Sequence, residues 1–260
     1  MERKYLEYFD GAFDSTVADK MKPENKPYVA YSKTEGVAYT VVPAKEQPSL
    51  YEAVDLGLPS GLKWANMNVG ATSLEDAGLY FQWGDTVGYT KEQVEAGEKV
   101  FNWNTYWDTN DGGSTFNKYN NDGESLKLED DIAAQIMGSE WSTPSMYQFQ
   151  ELINNTTPTF IDLQGNEYTQ EEAKKIYITD GNLKGIRLTS SNGNSIFIPA
   201  NGICIDTKIY NMNSTGNLSS RNLYEGYPAY CKFLNFNSSG SLSQYEGDRY
   251  CGLSVRGVKA

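Results

Sequence analysis

The run GIRLTSSNGNSIFIPA, residues 185–200, is the most constraining stretch of this sequence. Two segments rich in β-branched residues flank Asn192-Gly193, a dipeptide suited to the positive-φ turn that matches strand twist. Two further strands are predicted in YCKFLNFNSSGSLSQYEGDRYCGLSVRGV, from Tyr230 onward, around a long polar connection. Upstream, the signals are helical. Thr90 with Gln93, Ser145 with Gln148 and Thr169 with Glu172 each have the spacing of a capping box, and EDDIAAQIM begins with acids that suit a helix N-terminus. Short helices early and antiparallel strands late predict an α+β fold.

Residues 1–48 read as a separate segment. Tyr28–Tyr31 and Val37–Val42 form a predicted hairpin around Thr34-Glu35-Gly36, bounded by Pro27 and Pro43. A lone hairpin is marginal in water, so it is expected to serve attachment or assembly, including homo-oligomer formation. Residues 49–260 form the main predicted domain.

A formal net charge of −12 opposes binding to a phosphate backbone, so nucleic acid is not an expected partner. No apolar run is long enough to insert in a membrane, and MERKYLEYFDGAF lacks the apolar core of a secretory signal. With no histidine, the commonest general base and zinc ligand is missing. Cys204, Cys231 and Cys251 leave an odd thiol and have no metal-type spacing. Neither a catalytic group nor a cofactor is predicted.

Within KYNNDGESLKLE, Asn120, Asp122, Gly123 and Glu129 fall on calcium-loop positions, but Lys118 places an ammonium where a carboxylate is needed. The adjacent pairs Asp130-Asp131 and Glu171-Glu172 could supply two carboxylates for glycoside hydrolysis. Neighbours on a helix diverge, however, and first-turn acids explain both pairs more simply.

The run YEAVDLGLPSGLKWANMNVGATSLEDAGLYFQWGDT, from Tyr51, resembles the opening of a paralogous domain family of gut Bacteroidetes and Fibrobacter. Further blocks follow in order: FNWNTY at Phe101, DDIAAQIMGSEWSTPSMYQFQEL at Asp130, NGNSIFIPANG at Asn192 and YCGLSVRGV at Tyr250. Ser142 stands where an Arg is usual, and Gly257 where a Pro is usual. The resemblance covers residues 51–260. It implies a C-type lectin-like fold, similar to the variable proteins of diversity-generating retroelements, with Trp64, Trp83 and Trp141 buried and the two ends of the domain together as adjacent strands. The enzymes of that fold use a copper-binding cysteine pair that has no match here, and the EPN and QPD motifs of its calcium-dependent sugar binders are absent. The implied role is non-enzymatic ligand binding, at a virion or cell surface, to a protein or glycan. A carbohydrate-binding or carbohydrate-active surface protein, with or without calcium, is the alternative.

From Asn211 to Tyr250, 22 of 40 positions are Asn, Ser, Tyr or Gly, the alphabet of antibody contact loops. The resemblance implies that Asn codons in this part are targets of diversification. The predicted binding residues are Asn211, Asn213, Asn217, Arg221, Asn222, Tyr224, Tyr227, Tyr245, Asp248 and Tyr250, carried by strands fixed through Leu234, Phe236, Leu253 and Val255.

Overall fold

The structure, a computed structural model, describes residues 51–120 and 123–260 together with the backbone of residues 28–32 and 37–41. The chain divides into two compact units, residues 1–50 and 51–260. In the first, β1 (Tyr28–Ser32) and β2 (Val37–Val41) pair antiparallel with Ala30 opposite Tyr39. The turn at Thr34-Glu35-Gly36, the bounding prolines and the segment after Pro43 lie outside the described residues.

The second unit begins with β3 (Ala53–Asp55) and β4 (Lys63–Ala65), and ends with β14 (Val258–Lys259). These three make one sheet with β4 in the middle, so Trp64 lies opposite Val54 on one side and Val258 on the other. The two ends of the unit therefore meet in one sheet, separated by a single strand.

Four short helices follow the capping signals closely. In α1 (Lys91–Glu95), α3 (Met146–Asn155) and α4 (Gln170–Ile176), each predicted box is reciprocal: the hydroxyls of Thr90, Ser145 and Thr169 accept from the third backbone N–H, whose own side chain accepts back. The EDD acids behave differently. Glu129 and Asp130 sit in a preceding 3-10 turn, and Asp131 is the N-cap of α2 (Ile132–Met137). The Asp131 carboxylate also accepts from the backbone N–H and hydroxyl of Thr143, joining two segments in the interior.

A four-stranded sheet runs β6-β5-β7-β8, from β5 (Thr156–Asp162), β6 (Glu167–Thr169), β7 (Leu183–Ser190) and β8 (Ser195–Pro199). The β7–β8 hairpin is the one read from sequence, although four residues connect its strands and only Gly193, at φ 87°, is left-handed. Asn192 instead spends its side chain on Ser190, Asn194 and the carbonyl of Asp55, which pins the turn to the end of β3. After the small hairpin β9 (Ile203–Ile205) and β10 (Lys208–Tyr210), a meander completes the unit: β11 (Thr215–Leu223), β12 (Tyr230–Asn237) and β13 (Leu242–Asp248). The largest core cluster joins Trp64, Phe149 and Leu152 to Phe160, Ile186, Leu234 and Phe236. Trp64, Trp83 and Trp141 are all buried, as are Leu253 and Val255.

Two expectations need correcting here. The connection after Tyr230 is not long, because residues 242–248 form β13 and the turn occupies residues 238–241. The Asn- and Ser-rich stretch beginning at Asn211, expected to display its side chains, is largely enclosed: nine of its residues form β11, and residues 216–220 are buried without a break. Small and polar residues suit this strand because both of its faces are covered. A Cβ at Gly216 would stand 2.0 Å from the Phe236 ring, the Trp83 indole N–H donates to the Ser220 carbonyl, and the Ser220 hydroxyl donates to the Lys232 carbonyl.

All three cysteines are free and buried. Burial pushes the Cys231 thiol up to about 12 and those of Cys204 and Cys251 higher still. A disulfide-exchange reagent at pH 8 should therefore find no fast-reacting thiol in the folded protein and three after denaturation in guanidinium. A fast-reacting thiol in the native state would contradict this packing.

Candidate functional site

At the C-terminal end of β13 a guanidinium is sealed inside the protein. Arg249 and Asp108 are both fully buried, with Nη1 3.4 Å from Oδ2. The second Arg249 terminal nitrogen donates to the Tyr119 carbonyl at 3.0 Å, while Nε has no partner. Asp108 also accepts from the backbone N–H groups of Lys118 and Tyr119. The guanidinium lies 3.4 Å from the centre of the Phe116 ring and 5.6 Å from those of Trp83 and Tyr106. Desolvation lowers the pKa of Arg249, opposed by its attraction to Tyr106 and Asp108. This anchor fixes the backbone between Asp248 and Tyr250.

Those two neighbours face outward into an aromatic patch. Tyr250 packs edge-on against Trp103 with ring centres 5.0 Å apart, and Trp103 in turn meets Tyr106 and Phe116. The Tyr250 hydroxyl donates to the Asp248 carboxylate; desolvation, aided by nearby negative charge, pushes the phenol up to about 12. Desolvation also raises Asp248, with the Tyr250 hydrogen bond acting against it. Across the β12–β13 pairing Asp248 lies opposite Tyr230, whose ring is 4.9 Å from that of exposed Tyr227. On the other flank Asp206 accepts from Asn102, the N-cap of the 3-10 turn Trp103–Thr105. Trp103, Tyr230 and Tyr250 thus pack on one cluster with Tyr106, Phe116 and Ala229, and Tyr227 extends it against Tyr230.

The ten predicted binding residues do not share one surface. Tyr227, Asp248 and Tyr250 belong to this patch. Tyr245 is exposed on edge strand β13 and packs against Phe233 at 5.6 Å. Tyr224 lies beside Lys232, which also approaches Glu225 at 3.7 Å. Arg221 is half-buried with an unpartnered Nε. Asn222 is structural: its side-chain oxygen accepts from the Met146 N–H at the start of α3 and its side-chain amide donates to the Ser125 hydroxyl. Asn217 is buried, its amide donating to the Gly202 carbonyl and its oxygen accepting from Asn235. Asn211 and Asn213 both sit at φ 56°, a left-handed conformation that asparagine tolerates better than most residues, in the turn leading into β11. Four asparagines predicted for display thus have backbone or packing reasons for being there.

Trp103 and Tyr230 were not singled out from the sequence. The pointer to Trp103 is FNWNTY itself, where three aromatics and two asparagines occupy six positions.

Elsewhere, Lys118 Nζ reaches Glu129 Oε1 at 3.0 Å and also contacts Asp130, so an ammonium takes up the distal carboxylate of the calcium-like segment. Asp122 lies outside the described residues. Among the described residues no group of three or more acids or cysteines is placed to hold a metal ion, and no helix is long and apolar enough to cross a membrane. A cleft of about 570 Å³ lies between the 70–79 loop, Lys184, Pro199 and Met212. It has no aromatic lining, and its two lysines are both taken up, Lys184 by Glu75 and Lys91 by Glu95. Comparison with known protein families, with curated proteins and with solved structures finds no match.

Proposed function

We propose that the protein is a non-enzymatic ligand-binding module whose contact face is formed by Trp103, Tyr227, Tyr230, Asp248 and Tyr250. The observation that carries this reading is the backing of half-exposed aromatic rings by the sealed Arg249–Asp108 pair. Rings held in place from beneath offer large contact area at small entropic cost. The meeting of β3, β4 and β14, with the ordered sequence blocks, supports a C-type lectin-like scaffold. On that reading the ligand is a protein or glycan of a cell surface, the protein acts at a virion or cell surface, and the hairpin of residues 28–41 serves assembly. Retroelement diversification is compatible with the composition, but it would act on fewer positions than the asparagine count suggests.

The test is adhesion of fluorescently labelled protein to a panel of bacterial cells and to a glycan array. Wild type should bind a subset, and Tyr227→Ala/Tyr250→Ala should lose that binding by tenfold or more, at roughly 1–2 kcal/mol per anchor, while keeping its melting temperature. Binding unchanged in the double variant would defeat the proposal.

A further inference from the structure

Resting on that reading of the face, we infer that its ligand is cationic: the group it selects is a lysine or arginine side chain of a partner protein, seated on the rings between Asp206 and Asp248. Two carboxylates flank the Trp103–Tyr250 pair, and neither is in an ion pair among the described residues. Neighbouring cations are committed elsewhere: Lys99 lies 3.7 Å from Asp85, Lys232 is 3.7 Å from Glu225 and Arg249 is buried against Asp108. Lys208, two residues beyond Asp206, is exposed and makes no ion pair with it. Asp206 is exposed, and Asp248 is half-buried with the Tyr250 hydroxyl as donor. An incoming ammonium or guanidinium would meet two carboxylates and the Trp103 and Tyr250 rings between them, a combination that holds a cation well. The net charge of −12 would draw such a partner in from a distance. A neutral glycan would use the rings but leave both carboxylates without a counter-charge.

The experiment titrates the full chain with tetra-lysine, tetra-arginine, tetra-glutamate and maltotetraose, following tryptophan fluorescence and calorimetry at low and moderate salt. Two double variants with the same charge change are compared: Asp206→Asn/Asp248→Asn at the face, and Glu140→Gln/Glu171→Gln at exposed surface pairs. Glu171 is on α4, which packs against Gly240 at the opposite end of the β12–β13 hairpin from Asp248. The oligo-cations should bind wild type, more weakly as salt rises, and lose about tenfold in the face variant and less than about twofold in the control. Equal loss in both variants means diffuse attraction to an acidic protein and overturns the inference, as does no binding of the oligo-cations. Maltotetraose binding that Tyr227→Ala/Tyr250→Ala abolishes would overturn the cationic ligand while sustaining the face. Adhesion unaffected by that same double variant would instead defeat the face itself.

Discussion

Replacing Arg249 by methionine lowers the stability of the 51–260 unit by about 3–5 kcal/mol, the usual cost of stripping one partner from a buried ion pair. Asp108 is then a carboxylate with no exposure and only two backbone donors. Asp108→Asn leaves the guanidinium as the uncompensated charge and costs a similar amount. The double variant Arg249→Met/Asp108→Asn loses less than the sum, because neither charge remains stranded. Guanidinium titration reads all three as shifts in midpoint at constant slope. Wild-type stability in the single variants would mean that the pair supports nothing above it. The effect should extend to the face, because Asp248 and Tyr250 are held through the backbone of Arg249; a destabilised but folded Arg249→Met should show altered Trp103 fluorescence.

Phe236→Ala costs about 3–5 kcal/mol, since the ring is fully buried in the largest core cluster and also closes over Gly216. Tyr245→Ala, on the next strand, costs less than about 0.5 kcal/mol because its side chain is mostly in solvent. The informative member of the series is Asn217→Ala. Were it a display residue it would behave like Tyr245; as a bridge from Gly202 to Asn235 it should cost about 1–3 kcal/mol, leaving the buried Gly202 carbonyl and the half-buried Asn235 amide without this partner. Thermal unfolding of the three variants separates these outcomes.

The contrast between Asn217 and Tyr245 explains what could be read from the sequence. Capping boxes at Thr90, Ser145 and Thr169 were legible because both partners of each hydrogen bond lie within one turn of chain. The hairpin at Asn192 was legible for the same reason. β11 was not, because an Asn- and Ser-rich segment becomes a buried strand only when Phe236, Trp83 and Asn201 arrive from elsewhere in the chain. Polar composition implied exposure, but here the polar atoms are satisfied internally and their small size lets two clusters close on one strand. Of the face, the tyrosines and Asp248 were visible as residue types; the convergence of Trp103 on Tyr250 across 147 positions was not. Arg249 gave no warning, since a lone arginine beside an aspartate reads as surface.

Hydroxyl-radical footprinting of the protein, free and adhering to the cells it binds, tests the central claim most directly. The account predicts that Trp103, Tyr227, Tyr230 and Tyr250 lose reactivity on binding, while Tyr147, Tyr177 and Tyr210, all exposed and outside the face, keep theirs. Protection of Tyr147, Tyr177 or Tyr210 with the four face residues unchanged would contradict it.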